Sequence, residues 1–184
     1  MAKHKIFLHV GPEPRALTHA DLVEHRNLLA GAGCLLPQID RRALDAAATE
    51  MLRNHRSLGI RRRDVEGAWA GVTRGLWRLG VDVLISQPQF AEADDDQFDL
   101  LADHLAGLDL HVLVTRTAGV ALPGWSARVP DARLHVREVP ADAGAIDVAE
   151  TLTGIVWTVR RHDESARSSG LRALTKRLRP APAA

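Results

Sequence analysis

The chain has 184 residues, which is enough for one α/β domain with a hydrophobic core and too few to argue for two. A hydrophobic content of 46% is typical of a globular protein and excludes a largely disordered chain. The 24 Lys and Arg residues and the 23 Asp and Glu residues leave a formal charge of +1, so nucleic acid is not an expected partner of the whole molecule.

The single cysteine, Cys34, excludes an intramolecular disulfide and fits a reducing compartment. The apolar run near the start, residues 6–10, is too short for a signal peptide and far too short to span a membrane. We therefore expect a cytoplasmic protein without a transmembrane segment. The histidines are scattered along the chain and no zinc-ligand spacing occurs, so no metal site is predicted.

The first strand is predicted at residues 5–10, where a continuous apolar run is typical of a strand buried on both faces. Thr18 is a predicted helix N-cap, and Asp21 stands three residues later in the capping-box position. This helix is expected to run to about residue 32. The sequence CLLP that follows, residues 34–37, is a candidate for a short second strand.

Two amphipathic helices are predicted next, over residues 41–54 and 65–79, because apolar side chains recur there at helical spacing. The polar segment between them, residues 55–64, is predicted to be a loop. Residues 81–86 form a strand of the buried type. Residues 94–106 form a helix whose acidic start suits the helix dipole.

The alternation of strands and helices continues to the end of the predicted domain. Residues 110–115, LHVLVT, are a buried strand, residues 132–139, ARLHVREV, alternate as an edge strand does, and residues 146–159 form a helix. This pattern predicts a mostly parallel central sheet covered by helices on both faces, which is a three-layer α/β sandwich.

The carboxyl ends of the predicted strands are where a ligand is expected, because parallel sheets bind ligands there. The functional loops are therefore those that follow Val10, Ser86, Thr115 and Val139.

The composition changes after the last predicted helix. We assign residues 1–160 to the α/β domain and residues 161–184 to a basic, partly disordered tail. Within the tail, Leu171, Leu174 and Leu178 would lie on one stripe of a short basic amphipathic helix, which favours an acidic partner or an anionic surface.

Several stretches, in order over residues 4–159, resemble bacterial sulfotransferase-like proteins of the P-loop fold. They are KIFLHVG, LLAGAGCLLP, SLGIRRRDVEGAWAGV, VLISQPQF, LHVLVTRTAGVALPGW and LHVREVP. The resemblance implies a truncated sulfotransferase-like fold, because the acceptor-binding helices of the family are not found after the last predicted helix. It also implies transfer of a sulfuryl group from 3′-phosphoadenosine 5′-phosphosulfate to a hydroxyl or an amine.

The resemblance also implies which residues would hold that donor if donor binding is retained. Gly11 matches the first glycine of the phosphosulfate loop, Arg15 stands in for its lysine, and Thr18 keeps its threonine at the helix start. Arg116 matches the arginine that binds the 3′-phosphate, with Ser126 near the position of its serine.

The loop after Gly11 departs from the family pattern. Pro12 and Pro14 cannot donate a backbone N–H, and Glu13 places a negative charge where an anion would sit. A like charge at ~4 Å costs about 4 kcal/mol at an effective dielectric constant near 20, more than the roughly 1.5–3 kcal/mol of a charged hydrogen bond. The family has an acidic residue just after the strand predicted at residues 81–86, and this chain has Pro88 there. Gln87 beside it cannot act as a general base. We therefore expect no cofactor, and no catalytic residue is assigned.

Three functions remain open from the sequence. The favoured one is a non-catalytic relative of sulfotransferases that acts as a binding or partner protein. The second is an active sulfotransferase with an altered donor site. The third is a module that binds an acidic partner or surface through its basic tail. A homodimer is also open, since Trp69, Trp77 and Trp157 lie on predicted helices, where core packing or an interface is expected of them. Trp125 is expected either to cap the sheet or to line a pocket.

Overall fold

The computed structural model describes residues 3–11 and 18–177, with side chains described through residue 166. The described chain forms an α/β structure around a four-stranded, all-parallel sheet with the strand order β2-β1-β3-β4. Its elements are β1 Lys5–Val10, α1 His19–Val23, α2 Arg26–Gly31, α3 Arg41–Met51, α4 Ala68–Leu79, β2 Val83–Ser86, α5 Asp95–His104, β3 Asp109–Arg116, β4 Leu134–Glu138 and α6 Ala145–Arg177.

The first strand lies at the centre of the sheet, and its apolar run explains that position. All six residues of β1 are buried, and Leu8 pairs in register with Ile85 on one side and Val112 on the other. Strand β4 lies at the edge and is half-buried to exposed, which confirms the edge strand predicted from its alternating sequence.

Helices cover both faces of the sheet. Helices α3, α4 and α5 contribute Leu44, Trp69 and Leu101 to the hydrophobic core on one face. Helices α1, α2 and α6 contribute Leu22, Leu29 and Leu152, among others, to the core on the other face. The predicted α/β class, with a parallel sheet between two helical layers, is confirmed.

Two predictions for the segment after β1 are wrong. The helix expected from residue 18 to about residue 32 is two short helices, α1 and α2, separated at residues 24–25. CLLP is not a strand, because Leu35 makes only an isolated parallel bridge to Val83 at the outer side of β2. Pro37 has no N–H to extend that pairing, so the bridge ends after one residue.

The last helix is longer than the sequence pattern indicated. Helix α6 continues past the expected end at residue 159 as far as Arg177, rather than giving way to a separate basic helix. The division into residues 1–160 and 161–184 stays a prediction, and Leu178 lies outside the described residues. None of the described helices is long and apolar enough to cross a membrane.

A partly buried charge cluster joins α6 to the amino ends of the strands. The Nζ atom of Lys5 lies 2.5 Å from a carboxylate oxygen of Asp109 and 2.6 Å from one of Asp163 on α6. Arg160, also on α6, pairs with Asp82, whose other oxygen accepts the backbone N–H of Lys5. The position of α6 is therefore fixed by charged contacts as well as by its apolar face.

Candidate functional site

The carboxyl ends of the four parallel strands lie at one end of the sheet, and this end is the candidate site. The chain leaves β1 at Gly11, and the segment that follows, residues 12–17, lies outside the described residues. Arg15, the predicted substitute for the P-loop lysine, is in that segment. The chain then continues at Thr18 into α1.

The floor of this end is a buried row of polar side chains centred on His9. One ring nitrogen of His9 lies 2.9 Å from Ser86 Oγ on β2, and the other lies 2.8 Å from Thr115 Oγ1 on β3. Both ring nitrogens are satisfied within the core, and burial lowers the pKa of His9 to about 4. His9 is therefore a neutral core histidine, as its position in a buried strand predicts.

Gly11 lies directly above that row. A Cβ atom at position 11 would come within 3.4 Å of the Thr115 carbonyl and hydroxyl oxygens and within 3.7 Å of a ring nitrogen of His9. The absence of a side chain at this position lets the backbone pass close over the floor.

Thr18 is the N-cap of α1, as predicted. Its side chain accepts the backbone N–H of Asp21 at 3.4 Å, and its hydroxyl donates to the Asp21 carboxylate at 2.7 Å. The same carboxylate accepts the Thr18 backbone N–H at 2.8 Å, which completes the capping box. The donor groups of Thr18 are thus directed to Asp21.

Arg116 stands at the end of β3, where the resemblance implied a phosphate ligand. Its guanidinium donates to the Val120 carbonyl at 2.9 Å and to a Glu138 carboxylate oxygen at 3.1 Å. Its Nε atom is buried and has no hydrogen-bond partner among the described residues. The described contacts of Arg116 hold the loop after β3 and the end of β4, and they do not include Gly11 or Thr18.

Ser126 lies in a short 3-10 turn, Gly124–Arg128, between β3 and β4. The same turn carries Trp125, which is fully buried, donates its indole N–H to the Phe90 carbonyl at 3.0 Å and stacks on Phe98 with ring centroids 4.2 Å apart. Of the two roles expected for Trp125, packing over the sheet is the one observed.

Two cavities lie on either side of Pro88–Gln89 at this end of the sheet. One, of about 300 Å³, is lined by residues that include Thr18, His19 and Asp45. The other, of about 290 Å³, is lined by residues that include Gly11, Gln89 and Leu122. The first is lined by polar and apolar residues in similar numbers and the second mainly by apolar ones, and such mixed linings are typical of binding pockets.

His19 and Gln87, two of the polar side chains that line the first cavity, are both engaged in structural hydrogen bonds. The Nε2 atom of His19 donates to the Pro37 carbonyl at 2.7 Å, so its Nδ1 atom accepts the backbone N–H of Ser86 at 3.4 Å. Burial lowers the pKa of His19. The amide of Gln87 donates to the Leu44 carbonyl at 3.0 Å. Neither group is presented as a general base.

Sequence reasoning missed a polar cluster at the opposite end of the sheet. His111 and His135 lie 3.0 Å apart through ring nitrogens and stack with centroids 5.2 Å apart, and His111 lies 3.3 Å from Lys5 Nζ. The signal available was the repeated Leu-His-Val of two strands, but only their register as neighbours brings the rings together. No group of metal-ligating side chains occurs in the described part of the chain.

The described part of this end therefore offers a buried floor, two cavities and polar side chains, among them His9, Thr18 and Arg116, that make hydrogen bonds within the protein. No protein-family model, curated protein or solved structure matches the chain.

Proposed function

We propose that this protein is a non-catalytic relative of sulfotransferase-like proteins and acts by binding another molecule. The observation that carries the proposal is the pairing of Arg116. A guanidinium that binds a 3′-phosphate must present its donors to the anion, whereas Arg116 directs two of them to Val120 and Glu138.

Thr18, which is another implied ligand of the sulfuryl donor, and His9 on the floor of the site support the same proposal. Thr18 uses its hydroxyl on Asp21, and His9 is neutral and enclosed between two hydroxyl groups. The loop that would cradle the phosphosulfate carries Glu13 between two prolines, which removes backbone donors and adds a repulsive charge.

Isothermal titration calorimetry with 3′-phosphoadenosine 5′-phosphate tests the proposal directly. We expect no binding up to millimolar nucleotide, because Arg116 would have to leave Glu138 and Glu13 would repel the phosphate. Binding at micromolar concentration that is lost in Arg116→Ala and kept in Arg137→Ala would show a working donor site and overturn the proposal. Arg137 is a matched control, since it is an exposed arginine on the neighbouring strand β4, directly before the Glu138 that pairs with Arg116.

A second candidate function is attachment to an anionic lipid surface through the basic end of α6. The observation in its favour is that the backbone stays helical without a break through Arg177. The sequence of that segment has Leu171 and Leu174 three residues apart, with Arg172 and Lys176 at positions that do not share this spacing. This is the pattern of a helix that lies in a membrane interface.

Vesicle flotation distinguishes this second candidate from the first. We expect the full chain to float with vesicles containing phosphatidylserine and not with vesicles of phosphatidylcholine alone, and a chain ending at Ala166 to float with neither. That end point retains Asp163 and Arg160, so the contacts of α6 with the sheet are kept. Equal flotation of both chains rules this candidate out.

A further inference from the structure

One exposed stripe of α6 has the side-chain pattern of a helix-pairing seam. Glu150, Gly154, Trp157 and Arg161 follow one another at spacings of four, three and four residues, and all are exposed. This spacing places them on a single face, as the a and d positions of a coiled coil are placed. The opposite face of α6 is buried against the sheet.

A groove runs beside this stripe, between α6 and α2. It encloses a cavity of about 350 Å³ lined in part by Leu28, Gly31, Gly154 and Trp157. A Cβ atom added at Gly31 or at Gly154 would meet no other heavy atom within 4 Å, so the groove is open above both glycines. Trp157 is 50% exposed and Leu28 37% exposed, and a large indole left this accessible is typical of an interface.

We propose that this face forms a homodimer in which α6 of one copy packs antiparallel to α6 of a second copy. With the twofold axis between Ile155 and Val156, Trp157 of each copy faces Gly154 of the other. The same face then supplies both the protruding indole and the groove that receives it, which is the self-complementarity that a twofold interface requires.

Charge complementarity selects this partner and this direction. In the same antiparallel register, Glu150 of each copy faces Arg161 of the other, and Glu150 forms no ion pair with another described residue. The guanidinium of Arg161 lies 4.5 Å above the ring of Trp157, so it is held on the seam. A parallel arrangement would instead place Glu150 against Glu150 and Arg161 against Arg161, which is repulsive.

The register also limits the length of the contact. The next facing pair outward is Asp147 with Glu164, both acidic, so the seam ends within about four helical turns. An interface of this size falls at the low end of specific interfaces. We expect a dissociation constant on the order of 10–100 µM.

Charge reversal tests the dimer, and it is independent of the proposed function. In sedimentation velocity over a concentration series, the wild type should dimerise. The homodimers of Glu150→Arg and of Arg161→Glu should each have a dissociation constant at least about tenfold higher than that of the wild type. A mixture of these two variants should form a heterodimer, because both facing pairs become attractive. The double variant should regain self-association for the same reason.

Trp157→Ala tests the apolar part of the seam and should also weaken the dimer by about tenfold or more. Leu58→Ala is the control, because Leu58 is 56% exposed in a loop away from α6 and its loss should leave association unchanged. The proposal is overturned if the wild type stays monomeric at several hundred micromolar, on the order of the upper limit expected above. It is overturned as well if the single charge reversals dimerise as the wild type does.

Discussion

Three histidines on the strands are held neutral by burial. His9 lies between two hydroxyl groups, and His111 accepts from the Lys5 ammonium at 3.3 Å while its other ring nitrogen contacts His135 at 3.0 Å. Burial is the main cause that lowers the pKa of each to about 4, and for His111 the charge of Lys5 adds to it. Protonating any of them in the folded state places an extra charge in the core.

We expect the free energy of unfolding to fall as the pH is lowered from about 6.5 to about 4. In that window the unfolded histidines, with a pKa near 6.5, bind protons that the folded protein does not, so the unfolded state gains stability as the pH falls. His9 alone accounts for about 3 kcal/mol of this loss. Urea unfolding monitored by circular dichroism at several pH values measures the slope.

The variant His135→Gln isolates one of the three histidines. It should flatten the dependence of stability on pH between 6.5 and 4, because one group with a lowered folded-state pKa is removed. Ser165→Ala, at an exposed position on α6 without a titratable group, should leave the slope as in the wild type. A slope that is the same in all three proteins would contradict the assignment.

At the scale of single elements, local signals in the sequence predict the helix starts well. Thr18 with Asp21, and Asp94 with Gln97, each form a capping box within four residues of chain. The start of α4 follows a different rule. Its N-cap is Gly67, with a φ of 81°, and its free backbone groups are satisfied from α3, since Glu50 accepts the N–H groups of Gly67 at 2.6 Å and Trp69 at 2.8 Å.

Removing this distant cap should destabilise the protein. Glu50→Ala is expected to lower the free energy of unfolding by about 1–2 kcal/mol, because two N–H groups at the start of α4 lose their acceptor. Glu50→Gln should recover part of the loss. Glu66→Ala is the control, since the one ion pair of Glu66 with a described residue is an exposed contact of 3.9 Å with Arg62. It should change stability by less than about 0.5 kcal/mol. Urea unfolding measures both changes. If Glu50→Ala and Glu66→Ala lower the free energy of unfolding equally, Glu50 does not cap α4.

At the scale of the whole molecule, the parallel sheet could be predicted because its strands are short apolar runs that alternate with helices. Side-chain partners across the sheet could not be predicted, because they depend on strand order and register. Arg116 meets Glu138 only because β3 and β4 are neighbours in that register. For the same reason, the sequence pattern could place Arg116 at the end of a strand but could not show that Glu138 would lie beside it.

The length of α6 was also beyond local prediction, because the helix beyond Val159 is held at Arg160 and Asp163 by residues far away in the sequence, Asp82 and Lys5. Lys5 is 5% exposed, so its ammonium depends on Asp109 and Asp163 for compensation. A chain ending at Ala166 keeps both contacts of α6 and should unfold within a few degrees of the full chain. A chain ending at Val159 loses Arg160 and Asp163.

We expect the shorter chain to lose about 3 kcal/mol, because Asp82 loses its guanidinium and Lys5 one of its two carboxylates. For a protein of this size that corresponds to a fall in Tm of roughly 10 °C. Differential scanning calorimetry of the two truncated chains and the full chain measures this fall in Tm. Asp163→Asn in the full chain should reproduce part of the fall. If the chain ending at Val159 has the same Tm as the full chain, the charge cluster contributes nothing to the packing of α6 on the sheet.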